Sequence, residues 1–349
     1  MGKGKNNTRF KSFLLTRHGG IIFVTLCILL ILTGSVLVGA ESLLSRIGYQ
    51  AKDDFQLASS FPADEIGPQL QESSLVSEDY SSMQFGTGSV LSDPNIQNIL
   101  LIGSDTRGGE GYGNSDTMLL LSINSKTKQV KMVSFLRDLY VKINGMRDNR
   151  INASYAYGGP KLLIDTIESN FKIKIDNYAS INFQSFEKAI DIVGGVRINL
   201  TKAEARELNS HPDIYFINGR IQRVSTGMNT LNGAGALGYA RIRHIDSDFG
   251  RTERQRKIVE AVLSSLKHSN PVTLFNFANS IFPLVKTDLT NSQILSLISR
   301  TSSVLSGQMQ QTAIPVEGDY KPDEIRGMDV LVPDIEKNKE VIWKLLYNR

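Results

Sequence analysis

Cysteine and histidine are both scarce in this chain of 349 residues, and their scarcity excludes several kinds of site. The single cysteine, Cys27, lies inside an apolar run, so the sequence allows neither an intrachain disulfide nor a cysteine-based metal site. His18 lies near the N-terminus, and the other three histidines occupy loop-like or helix-end contexts. We therefore expect no histidine-based triad and no zinc centre, and the fold has to be stabilised by an ordinary core.

Net charge is also small, at a formal +4, but its sign changes twice along the chain. Residues 1–40 carry five basic and no acidic side chains, whereas residues 41–92 carry two basic and eight acidic ones. Residues 93–349 then carry a surplus of five positive charges. Because this last surplus is small for so long a segment, its meaning depends on where individual arginines lie.

Residues 19–40 form an uncharged, largely apolar run that is long enough, as a helix, to cross a hydrocarbon layer of about 30 Å. Five basic residues precede it, so the positive-inside rule predicts a cytoplasmic N-terminus and an exported remainder. A cleaved signal peptide is the alternative, although its apolar core is usually only ~7 to 15 residues long. We predict a basic cytoplasmic tail (1–18), one transmembrane helix (19–40), an extracellular acidic stalk (41–92) and one exported domain (93–349).

Alternating strand and helix patterns predict the fold of the exported domain. The strand patterns cover residues 98–103, 118–123, 130–135, about 172–182 and 196–200. The helical patterns cover residues 158–169, 183–193, 201–209, 251–267, 272–280 and 291–305. This interleaving favours the α/β class, as a three-layer α/β/α sandwich with a central mixed sheet.

Charged residues flank the first three predicted strands, and ligands gather beyond strand ends in such sheets. Asp105 and Arg107 follow the first strand, Asp116 precedes the second, and Arg137 and Asp138 follow the third. Two carboxylates from neighbouring strand ends suit a hard cation such as Mg²⁺, which prefers oxygen ligands. The alternatives are that the two aspartates cap loops and that Arg137 and Asp138 form a surface ion pair.

The strongest signal is the basic segment HIDSDFGRTERQRK, residues 244–257. On a helix that turns 100° per residue, Arg251, Arg254 and Gln255 fall on the apolar face that continues through Ile258. Arg256 and Lys257 fall on other sides of this helix, and we expect both to be exposed to solvent.

Two inward-facing arginines in the first turn of a helix oppose the helix dipole and call for an anionic partner. Free N–H groups at the same helix end make this a good phosphate site. Arg241 and Arg243 alternate in a strand-like Tyr-Ala-Arg-Ile-Arg segment and add guanidinium groups nearby. Nucleic acid is a competing anion, but export of the domain removes it from cytoplasmic nucleic acid, so we expect no such partner.

The motifs ILLIGSDTR, NSDTMLLLSIN, VSFLRDLYVKI, RINASYAYGG, DIVGGVRINL and LNGAGALGYARIRHIDSDFGRTERQR occur in this order. Together they resemble the LytR-CpsA-Psr family over about residues 96–305. The resemblance implies a Gram-positive cell-membrane enzyme that transfers an anionic glycopolymer, such as teichoic acid or capsule, from undecaprenyl pyrophosphate to a muramic-acid hydroxyl of peptidoglycan. It also implies an α/β/α fold with an apolar tunnel for the polyprenyl tail.

The resemblance further implies roles for particular residues of this chain. The expected ligands of a Mg²⁺ ion are Asp105 and Asp116. The expected pyrophosphate site contains Arg107, Arg137, Arg241, Arg243, Arg251, Arg254 and Gln255. We assign catalytic roles to Asp105, Arg137 and Arg251, with Asp105 as the hypothetical acceptor of the attacking hydroxyl's proton. One departure is Leu136, which stands before Arg137 where family members often have proline.

Cleaving a pyrophosphate in this way depends mainly on positioning and charge neutralisation, which Mg²⁺ and arginines supply. Two alternatives stay open. In the first, water replaces the sugar hydroxyl and the protein is a polyprenyl pyrophosphate phosphatase. In the second, the domain is a non-catalytic binder or an envelope regulator. The candidates for the tunnel wall are Val259, Leu263, Ile294, Leu295 and Leu297, although an ordinary core position is the favoured interpretation for any one of them.

Overall fold

The computed structural model of the protein describes residues 48–49, 83–104, 112–216, 219–267, 280–290, 293, 296–297 and 309–349. The predicted tail, the predicted transmembrane helix and most of the predicted stalk lie outside these residues, as do Asp105, Arg107, Ile294 and Leu295. Within the described part of the chain, no helix has the length and apolar character needed to cross a membrane.

A mixed sheet lies at the centre of the fold and confirms the predicted class. In the described part of the chain it has seven strands, in the spatial order β1 (Gly48–Tyr49), β10 (Lys286–Thr287), β7 (Asn177–Asn182), β2 (Ile96–Ser104), β3 (Ser115–Asn124), β4 (Gln129–Phe135) and β11 (Gln310–Ile314). β3 runs antiparallel to β2 and β4, whereas β7 is parallel to β2 and β11 is parallel to β4.

The strand register brings the ends of several strands to one edge of the sheet. Ser104 at the end of β2 pairs with Ser115 at the start of β3 and with Asn182 at the end of β7. β4 ends at the same edge because it runs in the same direction as β2. The segments that carry Asp116 and Arg137 therefore meet there.

One face of the sheet is covered by α1 (Ile151–Phe171) and α7 (Ile335–Tyr347). Their apolar side chains pack against the strand residues that point to this face, including Leu100 and Leu120, which are completely buried. α1 is kinked at Gly158 and Gly159, before Pro160. Gly159 has a φ of 57°, and a Cβ there would come within 2.6 Å of the Tyr112 ring, so this position requires glycine.

The opposite face is covered mainly by α6 (Asp248–Lys267), which packs against β3 and β4 through Val259 and Leu263. A second cluster of apolar side chains lies beside it. This cluster is built by four helices and two antiparallel strands: α2 (Phe183–Val193), α3 (Lys202–Ser210), α4 (Pro212–Tyr215), α5 (Gly233–Arg241), β8 (Val196–Leu200) and β9 (Gly227–Leu231). Helices thus lie on both faces of the sheet.

The remaining elements are short and lie mostly around the C-terminal part of the chain. They are β5 (Tyr140–Val141), β6 (Asn149–Arg150), a 3₁₀ turn (Phe282–Leu284), β12 (Tyr320–Ile325) and β13 (Met328–Pro333). The β12–β13 hairpin packs on Tyr140.

The prediction of a strand-like segment at residues 239–243 is wrong, because α5 continues to Arg241. Asn232 caps this helix, its side-chain oxygen accepting a hydrogen bond of 2.8 Å from the Gly235 N–H. The glycines of α5 also allow close packing on α2: a Cβ on Gly233 would meet the Glu187 carbonyl oxygen at 2.1 Å. Capping and close packing therefore outweigh the weak helix propensity of a glycine-rich segment.

Candidate functional site

A cavity of about 390 Å³ opens at this edge of the sheet, between the strand ends and helices α2, α5 and α6. Its apolar wall includes Leu101, Leu119, Ala179, Ile181, Phe183, Phe186, Leu237, Ile258 and Val259. Its polar wall includes Asp116, Arg137, Arg241, Arg243, Arg251 and Gln255. We call it the arginine cavity. It brings together six of the seven described residues that the sequence analysis assigned to a site.

Arg251 lies in the first turns of α6 and is 6% exposed. Its Nη1 is 3.2 Å from Oδ1 of Asp248, one turn earlier in the helix. Its Nε and Nη2 have no hydrogen-bond partner among the described residues. Burial lowers the pKa of this guanidinium, and Asp248 opposes that effect. Because unpaired buried donors are costly, the arrangement calls for an anion in the cavity.

A β-bulge directs Asp116 into the cavity. Gly103 pairs with Thr117 but Ser104 pairs with Ser115, so Asp116 is the extra residue of β3. Strand residues normally alternate between faces, yet both Asp116 and Thr117 line the cavity. Bulges often re-aim a side chain in this way beside a functional site.

Arg137 follows β4 and is held by two carboxylates. Its Nη1 donates to Oδ1 of Asp116 at 3.1 Å, and its Nε donates to Oδ2 of Asp138 at 3.3 Å. Burial disfavours the charged form, but Asp138 and Asp116 outweigh it and raise the pKa of Arg137. Arg137 therefore stays a cation beside the cavity.

Asp138 and Asp248 lie behind the arginines, and we call them the carboxylate pair. Asp138 accepts a hydrogen bond from Nη1 of Arg150 at 3.2 Å, besides that from Arg137. Asp248 lies 3.1 Å from Nε of Arg243. Burial raises the pKa of Asp138, Arg137 opposes the rise, and a hydrogen bond to Asp248 adds to it.

Arg241 and Arg243 approach the cavity from the end of α5. Nη1 of Arg241 donates to the carbonyl oxygens of Ile214 and Tyr215, at 3.0 and 3.3 Å. The same guanidinium lies 5.7 Å from the centre of the Phe183 ring. Arg243 keeps half of its side chain exposed, although it contacts Asp248. These two arginines therefore form the open side of the cationic wall.

The structure does not bring Arg254 to the arginine cavity. Its Nη1 and Nη2 donate to the two carboxylate oxygens of Asp246, each at 2.7 Å, and Nη2 also donates to the Ile242 carbonyl oxygen at 2.7 Å. Glu204 of α3 lies 3.7 Å away. The buried face of α6 is wider than the cavity, and Arg254 lies on the part that faces Asp246, the Ile242 carbonyl and Glu204.

The expectation that Arg256 is exposed is wrong, since only 7% of it is accessible. Its Nη1 donates to Oγ of Ser134 at 2.9 Å and its Nε donates to Oε1 of Gln311 at 3.0 Å. α6 packs on the sheet as well as on the helical cluster, so two of its sides are buried. The expectation for Lys257 is confirmed, because its side chain is 42% exposed and pairs with Glu253.

Sequence reasoning did not single out Asp248 or Arg150 as part of the arginine network. Asp248 carried a usable signal, because an acidic residue at the start of a helix, three positions before an arginine, favours an ion pair on one helix face. Arg150 carried none, since its role depends on how the segment after β4 folds back to α1.

Of the two aspartates expected to bind Mg²⁺, only Asp116 lies in the described part of the chain. In the described residues, no group of three or more Asp, Glu, His and Cys side chains has the geometry to hold a metal ion. Asp116 lines the cavity with its side chain 30% exposed. It fits a Mg²⁺ ion bound through one or two carboxylates and the phosphates of a ligand.

A second cavity, of about 740 Å³, lies along the same sheet–α6 interface. Successive positions on one face of a strand pass from the first cavity to the second, from Leu101 to Ile99 on β2 and from Leu119 to Leu121 on β3. Of the expected tunnel residues, Val259 lines the arginine cavity, whereas Leu263 and Leu297 line the second one. We call the two together the apolar channel.

A mixed α/β fold with one buried and three partly exposed arginines at the head of an apolar channel has the shape and charge that suit an anionic ligand with a long apolar part. Residues 69–345 match the model of the LytR_cpsA_psr family, and the chain belongs to that family. The membership expected from the sequence motifs is thereby confirmed.

Among its relatives is the polyisoprenyl-teichoic acid--peptidoglycan teichoic acid transferase TagU of Bacillus licheniformis. The two are 32% identical over 242 residues, which span 66% of this chain and 74% of TagU.

Similar solved structures include TagT bound to LIIa-WTA, with a TM-score of 0.60 and 24% identity over 73% of this chain and 91% of TagT. Another is the LytR-CPS2A-psr family protein YwtF (TagT) with bound octaprenyl pyrophosphate lipid, with a TM-score of 0.56 and 22% identity over 72% of this chain and 91% of that protein. At these identities the likeness establishes the fold.

Proposed function

We propose that this protein is a phosphotransferase that attaches an anionic glycopolymer, of teichoic acid or capsule type, from undecaprenyl pyrophosphate to peptidoglycan. The observation that carries the proposal is Arg251, a buried guanidinium with two unpaired nitrogens at the head of an apolar channel. The name of the relative TagU, a teichoic acid transferase, supports the same reaction class.

The cationic wall suits a pyrophosphate. Arg137, Arg241, Arg243 and Arg251 line one cavity, and each guanidinium has several donors in a planar fork that matches phosphate oxygens. Gln255 adds a neutral polar side chain beside them. Several arginines around one cavity neutralise two linked phosphates better than one would.

The apolar channel suits the polyprenyl tail. Most of the wall of the arginine cavity below the arginines is aliphatic or aromatic, and aliphatic side chains continue along the sheet into the second cavity, so a bound hydrocarbon chain would leave water along this face. TagT, which has the same fold, carries octaprenyl pyrophosphate in one of its structures. A headgroup held by arginines and a tail held along the sheet would fix the reacting phosphorus at the cavity mouth.

In the proposed reaction, a hydroxyl oxygen of the peptidoglycan acceptor forms a bond to the phosphorus that carries the glycopolymer. The bond from that phosphorus to the bridging oxygen breaks, and polyprenyl phosphate leaves with the electron pair. Arg137 and Arg251 neutralise the charge that develops on the phosphate oxygens, which is the main contribution available in phosphoryl transfer. The hydroxyl proton passes to a base, for which Asp105 remains the proposal.

Asp116, together with Asp105, would hold a Mg²⁺ ion in this site. The ion would supply further neutralisation of phosphate charge when bound. Asp116 also orients Arg137 through their 3.1 Å contact, so its carboxylate has a role in the arginine network that does not depend on the ion.

The proposal places the domain outside a Gram-positive cell, anchored by the predicted helix at residues 19–40. The partners are then the lipid-linked glycopolymer, peptidoglycan and the cell membrane. With water as the acceptor, the same site would act as a polyprenyl pyrophosphate phosphatase, and the products separate the two reactions.

The proposal is tested with the full-length protein in detergent micelles, a radiolabelled polyprenyl pyrophosphate-linked glycopolymer and isolated peptidoglycan. We expect label to become attached to peptidoglycan, and Arg251→Ala to slow this by about 100-fold or more. Lys257→Ala is the matched control, because it removes an exposed cation from the same helix, and it should leave the rate unchanged.

Two results would contradict the proposal. Release of the labelled polymer into solution without attachment would favour the phosphatase. Equal rates for the wild type and Arg251→Ala would remove the role assigned to the arginine cavity.

A further inference from the structure

We propose that Asp138 and Asp248 are positioning residues that hold the arginines of the cavity at the spacing that the transferred phosphate requires. The inference rests on the proposed function for the identity of the reaction. It concerns two side chains that do not line the arginine cavity and that act through the arginines in front of them.

The carboxylate pair joins four segments that are distant in the sequence. Asp138 follows β4 and contacts Arg137 and, across the chain, Arg150 at the start of α1. Asp248 begins α6 and contacts Arg251 on its own helix and Arg243 after α5. Each carboxylate therefore contacts two arginines and holds their guanidinium groups close together.

Arg243 connects the two carboxylates. Its Nε lies 3.1 Å from Oδ1 of Asp248 and its Nη2 lies 4.0 Å from Oδ2 of Asp138. The two carboxylates also influence each other, because Asp248 adds to the raised pKa of Asp138. Removing either carboxylate therefore affects arginines on both sides of the cavity.

Both carboxylates lie behind the cavity wall. Their side chains are 11% and 13% exposed, and neither belongs to the described lining of the arginine cavity. Arg137, Arg243 and Arg251 lie in front of them and do belong to it. An effect of Asp138 or Asp248 on the reaction therefore has to pass through the guanidinium groups.

Positioning is needed because the arginines repel one another. The charges of Arg137 and Arg243 both act against the charged form of Arg251. Arginine side chains also have many rotamers, so unrestrained guanidinium groups would move apart and adopt several orientations. Two buried carboxylates between them offset the repulsion and keep the donors oriented before a ligand arrives, which favours stabilisation of the transition state.

Changing either carboxylate to an amide should have opposite effects on binding of the ligand and on the rate of the reaction. Asp138→Asn and Asp248→Asn each keep the size of the side chain but remove one negative charge from behind the arginines. Loss of this charge strengthens the attraction for a pyrophosphate in the ground state. Loss of alignment weakens the stabilisation of the transition state, so kcat falls while binding is retained.

The test uses the full-length protein in detergent micelles, with octaprenyl pyrophosphate as the binding probe and glycopolymer transfer as the activity. For both variants we expect kcat to fall at least tenfold, with a Kd for octaprenyl pyrophosphate that is unchanged or lower. The double variant should lose no more activity than the more impaired single variant, because the pair acts as one unit.

Asp246→Asn is the matched control, because Asp246 lies two positions before Asp248 and pairs with Arg254, away from the cavity. It should lower the unfolding temperature while kcat per folded molecule stays at the wild-type value. A kcat that is unchanged in Asp138→Asn and Asp248→Asn would overturn the inference. A fall that is matched by Asp246→Asn would overturn it as well, since that would indicate general destabilisation.

Failure of the proposed function gives a different result. In that case the wild type itself neither binds octaprenyl pyrophosphate nor transfers the glycopolymer. The inference fails alone when the wild type does both and the two aspartate variants do so equally well.

Discussion

Arg254 and Asp246 face each other through two hydrogen bonds of 2.7 Å, and this pairing fixes Arg254 between α6 and α3 instead of in the cavity. We predict that Arg254→Ala lowers the free energy of unfolding by about 3 kcal/mol, because it removes a buried guanidinium that is hydrogen-bonded to Asp246 and Ile242 and leaves the buried Glu204 carboxylate without this cation. The Kd for octaprenyl pyrophosphate should change less than about twofold, or 0.4 kcal/mol. Urea unfolding and titration calorimetry of the full chain in micelles measure the two quantities.

Arg251→Ala provides the converse of that experiment. It should weaken octaprenyl pyrophosphate binding strongly, since two of its nitrogens lack partners among the described residues. It also removes the 3.2 Å contact with Asp248, so its effect on binding is compared with that of Arg254→Ala at equal folded fraction. If Arg254→Ala weakened binding as much as Arg251→Ala, the assignment of Arg254 to the core would be wrong.

Arg256 joins α6 to β4 and β11 through Ser134 and Gln311, and no carboxylate lies within ion-pair distance of it in the described part of the chain. We predict that Arg256→Ala costs about 3 kcal/mol of stability, from lost hydrogen bonds and a cavity. Arg256→Met should cost less than about 1.5 kcal/mol, because it keeps apolar volume and removes the burden of a buried charge. Urea unfolding compares the two, and a loss for methionine as large as for alanine would mean that the hydrogen bonds alone decide.

Ala179 is a small residue in the apolar wall of the arginine cavity. We predict that Ala179→Leu weakens binding of octaprenyl pyrophosphate at least about tenfold, or 1.4 kcal/mol, by filling space that the tail requires. Binding of inorganic pyrophosphate should stay the same, since the arginines are untouched. Calorimetric titration with both ligands tests the prediction, and equal losses for the two would show that the substitution disturbs the whole cavity.

Asp138 gives a prediction for the pH dependence of stability. Burial raises its pKa above the ordinary value of 3.8, with Arg137 opposing and Asp248 adding to the rise. Between the ordinary pKa, which applies to the unfolded state, and the higher pKa of the folded state, the folded state binds more protons than the unfolded state. The contribution of Asp138 to stability therefore falls as pH rises. Wild type should therefore lose stability relative to Asp138→Asn as pH rises from the ordinary pKa through the higher pKa of the folded state.

The measurement is the difference in unfolding free energy between wild type and Asp138→Asn, obtained by urea unfolding at several pH values. The difference should level off above the folded-state pKa. An opposite slope would mean that the pairing with Arg137 and Arg150 outweighs burial and lowers the pKa.

The strands and several helices could be predicted because their patterns are local. The apolar runs of β2, β3 and β4 appear within a few residues of the predicted ends, and α2 was predicted with its observed bounds, Phe183–Val193. The spatial order of the strands could not be predicted, because β10 and β11 come from late, short segments whose pairing depends on distant neighbours.

The site residues could be predicted where the helical period alone determines which side chains face the cavity. Arg251 and Gln255 line the cavity as the helical period indicates. Arg256 was misassigned because a helical wheel assumes one buried side, whereas α6 contacts both the sheet and the helical cluster. Asp248 was overlooked because its importance comes from Arg243 and Asp138, which reach it only in the folded chain.

The β-bulge at Asp116 limits how loops can be exchanged between this protein and its relatives. Deleting Ser115 would restore regular alternation in β3 and turn the Asp116 carboxylate towards the α1 side of the sheet, whereas deleting Thr117 would move Asp116 into the position that faces the cavity. The Ser115 deletion would therefore remove the 3.1 Å contact between Asp116 and Arg137. A loop grafted into this region from a related protein therefore has to keep the extra residue of β3. A sequence alignment that removes Ser115 would turn the Asp116 carboxylate away from the cavity.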